Sequence, residues 1–148
     1  RFECDWDAQF DNDVSIIGDL NVTGSINNIG DTSSTTPSSS SLASATSTYI
    51  TKANLTLPAG TYVIEYGATF AQNQTGRRCA ILSTTQNSDT AHERGSGAKT
   101  NAVPGESTYL SAVSIISPTY TTTYYLNLWQ NSGSSLTVYP FIRAVRIL

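Results

Sequence analysis

Residues 61–70 read TYVIEYGATF and alternate between the two faces of an extended chain. One face carries Tyr62, Ile64, Tyr66, Ala68 and Phe70, and the other carries Thr61, Val63, Glu65, Gly67 and Thr69. Successive side chains of a β-strand point to opposite sides, so a period of two with aromatic residues on one side predicts a half-buried strand.

Further strand candidates lie on both sides of this stretch. They read ITKANLTL (50–57), RRCAILST (77–84), TYLSAVSII (108–116), TYYLNLWQ (123–130) and SLTVYPFIRAVRIL (135–148), and are separated by turns rich in Gly, Pro, Asn and Ser. Only 13% of the residues are charged, and from residue 49 onward no segment has a helical period; Phe2, Trp6 and Phe10, four apart near the N-terminus, fit one face of a short helix or an irregular collar. About seven or eight strands at this spacing predict an all-β sandwich or jelly roll.

The N-terminal part has a different pattern. In IIGDLNVTGSINNIGD (16–31) a glycine falls at every sixth residue, at Gly18, Gly24 and Gly30. Six residues suit one short strand and one tight corner, and such a strand needs identical neighbours to bury its apolar face. We interpret the segment as a stalk shared by several copies of the chain; a Gly-rich hairpin is the alternative.

Composition divides the chain into three segments. Residues 1–31 carry seven acids and one base, a net charge of −6, whereas residues 32–148 carry four acids and seven bases, a net charge of +3. Of the 18 residues in 31–48, 13 are Ser or Thr, which is typical of a linker or of an extended strand lying on a neighbour. We therefore predict a collar and trimeric β-stalk (1–30), a Ser/Thr-rich linker (31–48) and a jelly-roll head (49–148).

Several function classes find no support in the sequence. A dispersed charge of +3 does not predict nucleic-acid binding, and no apolar run is long enough to predict membrane insertion. Two cysteines and one histidine predict no metal site and no cofactor within one chain. An ion bound on the axis of an oligomer is the alternative. The Gly-x-Ser-x-Gly motif is absent. We expect no catalytic residues, since the four acids of the head suit solvated loop and strand positions; a pair for glycoside hydrolysis is the alternative.

Three stretches resemble a known family. P-A-G-T-Y-x-x-x-Y-x-x-x-F (58–70), G-R-R-x-x-I (76–81) and Q-N-S-G-x-x-L (130–136), with an apolar last strand, look like the jelly-roll heads of the tumour-necrosis-factor and complement family. The closest resemblance is to the version at the tips of bacteriophage tail fibres and spikes and of some bacterial surface filaments. The G-D-L-x-V-x-G-x-I segment (18–26) likewise resembles phage fibre shafts. The ending RAVRIL departs from complement-type heads, which usually end in an aromatic-rich strand, and favours the phage or bacterial branch.

The resemblance implies a function and partners. A ten-stranded jelly roll of this kind would form a homotrimer through one sheet of each protomer. It would be the receptor-binding tip of a tail fibre or spike on the virion and would recognise a host cell-surface glycan or other receptor. The alternatives are a structural trimerisation head that registers the shaft, an adhesin of a bacterial surface filament, and a glycan depolymerase.

Candidate site residues follow from position and side-chain type. Sugar binding favours aromatic rings with planar amides or charges, so the candidate ligand-binding residues are the loop residues His92, Arg94, Tyr120 and Asn131. Each of them also suits an ordinary loop or turn position. The candidate trimer-interface residues are Leu20, Val22, Ile26, Tyr66, Phe70, Trp129, Val145 and Ile147. For Trp129, core or trimer packing is favoured over a sugar platform.

Overall fold

The computed structural model describes residues 30, 32–44, 48–73, 75–91 and 97–147. Apart from Gly30, the predicted collar and stalk lie outside this part of the chain. The same is true of Leu20, Val22, Ile26, His92 and Arg94.

The described residues are all β and contain no helix, which confirms the predicted fold class. Their nine strands are β1 (Thr32–Thr35), β2 (Ser40–Leu42), β3 (Ile50–Leu57), β4 (Tyr62–Phe70), β5 (Arg77–Ser83), β6 (Gly97–Asn101), β7 (Thr108–Ile116), β8 (Thr122–Gln130) and β9 (Leu136–Arg146). The described residues thus form nine strands, whereas the resemblance implies ten.

Within the described residues, the strands form two antiparallel sheets that pack as a sandwich. Sheet 1 has the order β1-β9-β4-β7, with β2 paired to the same edge of β9 as β1, and sheet 2 has the order β3-β8-β5-β6. The chain crosses repeatedly between the sheets, and the result is the strand order of a jelly roll.

The aromatic face of β4 forms the centre of the core. Tyr62, Ile64, Tyr66, Ala68 and Phe70 are at most 3% exposed and belong to one apolar cluster between the sheets. The same cluster contains leucines from β3 and β8: Leu55, Leu57, Leu126 and Leu128. The alternation in residues 61–70 therefore identifies the inward side of sheet 1.

The Ser/Thr-rich segment contributes to sheet 1. Thr32–Thr35 pairs with residues 142–145 of β9, and Ser40–Leu42 pairs with residues 136–138, so this edge strand is interrupted opposite Pro140. Proline has no N–H to donate, and the interruption falls where β9 lacks a donor. The head's sheet thus begins before the boundary predicted at residue 49.

Gly67 allows β4 and β7 to lie close together. A Cβ atom at this position would collide with the backbone carbonyl oxygen of Leu110 and lie 2.9 Å from the Cα atom of Ser111. Both neighbours are backbone atoms of a paired strand, so neither can rotate away.

We predict that Gly67→Ala lowers the free energy of unfolding by about 3 kcal/mol, since relieving the collision must separate two paired strands. Urea titration at a fixed protein concentration measures this. Gly105→Ala is the control: its φ of +83° adds strain, but a Cβ there meets no atom within 4 Å, so a smaller loss of about 1 kcal/mol is expected. Equal losses for the two variants would contradict the steric explanation.

Candidate functional site

The outward side of sheet 1 is exposed and apolar. Tyr109, Val113 and Ile115 of β7 and Tyr139 and Val145 of β9 are between 41% and 65% exposed; we call these five residues the apolar face. Register places Ile115, Val63 and Val145 in one row across three neighbouring strands. Monomeric soluble proteins rarely expose a large continuous apolar patch, so this face has the character of an interaction surface.

Aromatic stacking gives part of this face a fixed shape. The rings of Tyr109 and Phe141 are 6.0 Å apart and nearly parallel, at 7°. Because β9 and β7 lie on either side of β4, the two rings meet over β4, where Gly67 pairs with Phe141 and presents no side chain. The guanidinium carbon of Arg143 lies 5.0 Å from the centre of the Phe141 ring. Phe141 is consequently buried on the outer side of its own sheet.

An ion pair lies within the apolar face. Arg143 Nε and Glu65 Oε2 are 3.2 Å apart, and the two side chains are 57% and 36% exposed. A pair this exposed contributes about 0–1 kcal/mol to stability. A cleft of about 450 Å³ beside it is lined by both charged residues and by Ser34, Val113 and Val145.

A loop of the same chain covers part of the outward side of sheet 2. The fully buried amide of Asn127 donates from Nδ2 to the carbonyl oxygens of Thr85 (2.9 Å) and Ser88 (3.1 Å). Its Oδ1 accepts a 2.6 Å hydrogen bond from the hydroxyl of Thr51. One side chain thus attaches the loop after β5 to two neighbouring strands.

A second set of bonds fixes the tip of this loop. The backbone N–H of Thr51 donates to Asn87 Oδ1 (2.8 Å), and the backbone N–H of Asn87 donates to Thr51 Oγ1 (2.9 Å). Asn87 has a φ of 51°, a left-handed conformation that Asn tolerates better than most residues. The reciprocal pair holds the turn against the start of β3.

Tyr49 borders the loop and is fixed from two directions. Its ring stacks on that of Trp129, with the centroids 6.2 Å apart, and its hydroxyl lies 3.1 Å from Cys79 Sγ. Burial, together with the Cys79 contact, raises the pKa of Tyr49 above its ordinary range. Burial also raises the pKa of the Cys79 thiol, against a smaller lowering by the Tyr49 hydrogen bond. Both groups therefore stay neutral at ordinary pH.

Two clefts meet at Tyr49. One, of about 360 Å³, has Cys79, Ile81 and Gly97 among its lining, with Asp89 and Lys99. The other, of about 500 Å³, is lined by Thr48 and by the polar loop residues 85–89. Tyr49 and Asp89 line both clefts, so the two are adjacent, and together we call them the Tyr49 cleft.

The predicted ligand-binding residues that the structure describes do not come together. Tyr120 is 72% exposed before β8, and Asn131 follows the other end of this nine-residue strand, which spans about 30 Å. Asn131 Oδ1 accepts a 2.6 Å hydrogen bond from the backbone N–H of Arg77. Asn131 thus joins the turn after β8 to the start of β5.

The predicted interface residues divide between three places. Val145 and Ile147 are exposed at the end of the chain. Trp129 is half-buried on sheet 2, against Tyr49. Tyr66 and Phe70 correct the prediction: both are fully buried within one chain, because the aromatic side of β4 faces sheet 2.

Sequence reasoning missed most of the surface that the structure exposes. Tyr109, Val113 and Ile115 alternate with Leu110 and Ile116, so β7 is apolar on both sides. Only one side of each sheet in a sandwich faces the internal core. The apolar residues on the second side of β7 are therefore the signal that could have identified this surface.

Arg78 is a buried cation at the start of β5. Its Nη1 donates to the carbonyl oxygens of Thr75 (3.0 Å) and Arg77 (3.2 Å), and its guanidinium carbon lies 5.9 Å from the centre of the Phe70 ring. Burial lowers the pKa of Arg78. These contacts stabilise the turn before β5.

The described residues contain no group of three or more His, Cys, Asp or Glu side chains that could hold a metal ion. In the same part of the chain, no helix is long and apolar enough to cross a membrane.

Comparison with known proteins supports the fold. No protein-family model and no curated protein matches the sequence. A chain in the structure of infectious bursal disease virus, Gx strain, is similar with a TM-score of 0.55 and 13% sequence identity; the match covers 86% of this chain and 38% of the viral one. The match therefore spans well under half the length of the viral chain, and at this identity the likeness shows the fold alone.

A second structure, of Bacillus endospore appendages described as disulfide-linked pili, has a TM-score of 0.36 and 11% identity. The match covers 87% of this chain and 100% of that one. A score this low supports no argument about a shared fold.

We predict that Asn127→Ala lowers the free energy of unfolding by about 2 kcal/mol, because it removes the hydrogen bonds of the Asn127 amide to the Thr85 and Ser88 carbonyl oxygens and to the Thr51 hydroxyl. Amide hydrogen exchange should become faster between residues 85 and 91. Asn54→Ala, at an exposed position of β3, is the matched control and should change neither quantity. Unchanged exchange in Asn127→Ala would show that the loop is held by other contacts.

Proposed function

We propose that this chain is the homotrimeric head of a viral fibre or spike and attaches the particle to a glycan or other receptor on the host cell surface. The observation that carries the proposal is the apolar face of sheet 1. An equivalent head on a bacterial surface filament is the alternative location, and the proposed role is not catalytic.

The apolar face suits further copies of the same chain. Its side chains are apolar in rows, and the ring stack of Tyr109 and Phe141 gives it a defined shape. Glu65 and Arg143 already neutralise each other within one chain, so covering this surface would not isolate a single charge. The glycine-spaced segment before the head, interpreted as a three-chain shaft, favours three copies.

Attachment by three heads relies on multivalency. Three linked sites of weak affinity bind a cell surface much more tightly than one, provided that they can engage together. A structural head that only registers the shaft is a second candidate, because the same apolar face would serve it equally well.

We predict that the chain in solution has three times the 15.8 kDa mass of one copy. Ile115→Glu should give monomers, because three carboxylates would be forced into an apolar contact. Asn54→Glu adds the same charge on the outward side of sheet 2 and should leave the trimer intact. Light scattering at micromolar concentration measures all three masses, and a monomeric wild-type chain would overturn the proposal.

We further predict that the purified trimer blocks adsorption of the parent particle to its host. The Ile115→Glu monomer should need a concentration about 100-fold higher for the same inhibition, since it loses multivalency. Counting unadsorbed particles at increasing protein concentration gives both values. A stable trimer that neither binds cells nor competes would favour the structural head.

A further inference from the structure

We propose that the Tyr49 cleft on sheet 2 binds a neutral saccharide. Tyr49 contacts the C–H face of a sugar ring, and Asp89, Lys99 and the loop residues 85–88 bond its hydroxyl groups. The inference rests on the proposed attachment role and names a site and a ligand class for it.

The size of the cleft suits a short glycan. Its two parts have volumes of about 360 and 500 Å³, and both are within the usual range for small-molecule sites. Because Tyr49 and Asp89 line both parts, a ligand of two linked sugar rings would meet these side chains at its middle.

The lining of the cleft complements the two kinds of surface that a sugar presents, its ring C–H groups and its hydroxyl groups. Cys79 and Ile81 are among the residues that line the first part of the cleft with Tyr49, and their apolar side chains suit ring C–H groups. The rim carries the hydroxyl and amide side chains of Thr85, Gln86 and Ser88, which suit a ring of hydroxyl groups. A purely apolar ligand would leave this rim unpaired.

The two opposite charges in the cleft lining favour a neutral ligand over a charged one. Asp89 supplies one negative charge and Lys99 supplies one positive charge. A carboxylate accepts hydrogen bonds from hydroxyl groups and an ammonium group donates to them. An acidic sugar would gain an attraction to Lys99 and an opposing repulsion from Asp89, so the pair gives it no net advantage.

The site is formed before any ligand arrives. Asn127 and the reciprocal Thr51–Asn87 bonds fix the loop, and the Trp129 stack and the Cys79 contact fix the Tyr49 ring. Fixed groups lose little conformational entropy on binding, which favours recognition of a weakly interacting ligand.

The test is binding of the full-length oligomer to an array of neutral and acidic glycans, with affinities for the bound glycans measured by calorimetry. Asp89→Asn and Tyr49→Ala should each weaken binding by about tenfold or more, because a charge-assisted hydrogen bond or a ring contact is lost. Glu106→Gln, at an exposed acid in the loop before β7, is the matched control and should bind normally. Asp89 is exposed, so its variant keeps the test valid if Tyr49→Ala fails to fold.

The outcomes separate this site from the attachment role. Loss of neutral-glycan binding in Asp89→Asn but not in Glu106→Gln supports the site. Equal binding by these two variants overturns it. Wild-type oligomer that adsorbs to host cells but binds no glycan, or binds acidic glycans alone, overturns the saccharide inference and leaves the attachment role standing. Failure to bind either cells or glycans overturns both.

Discussion

The rest of the structure depends on one constraint: sheet 1 is apolar on both sides, and the described chain covers one of them. The inward side, built around Tyr62, Tyr66 and Phe70, is covered by sheet 2. The outward side exposes Val113 and Ile115 to solvent in the isolated chain. Contact with water is unfavourable for such a surface by roughly 25 cal/mol per Å² of apolar area. In the proposed trimer, removal of this surface from water would supply the driving force for association.

The central polar residues of the two sheets show how differently their outward sides are treated. On sheet 2, Asn127 is fully buried and satisfied by loop carbonyl groups, so the centre of that side is covered by the chain's own backbone. On sheet 1, Glu65 and Arg143 pair with each other and stay partly exposed. A loop held by a buried amide is a rigid surface suited to a small ligand. An apolar sheet with an internally neutral ion pair is suited to another sheet.

The sequence predicted the all-β class and the inward face of β4, because period-two alternation is a local property of ten residues. The sequence could not show whether a given face of a strand packs against the chain's own second sheet or against another subunit. Tyr66 and Phe70 were predicted at an interface, but an aromatic stripe looks the same whether it meets a second sheet of its own chain or another subunit. Asn131 was predicted to bind ligand, yet it accepts from the N–H of Arg77, 54 residues away in sequence. The Tyr49 cleft was missed for the same reason, since Asn127 and Thr51 meet across 76 positions.

The two proposed surfaces are compatible because they lie on opposite sides of one sandwich. Sheets in a sandwich are about 10 Å apart, so contact through sheet 1 leaves the outward side of sheet 2 facing solvent. The strand order requires this, since β7 and β9 belong to one sheet, and β5 and β8, which carry Cys79 and Trp129, belong to the other. Association would therefore present one Tyr49 cleft per copy around the outside of the assembly. Assembly through sheet 1 and ligand binding on sheet 2 would therefore not obstruct each other.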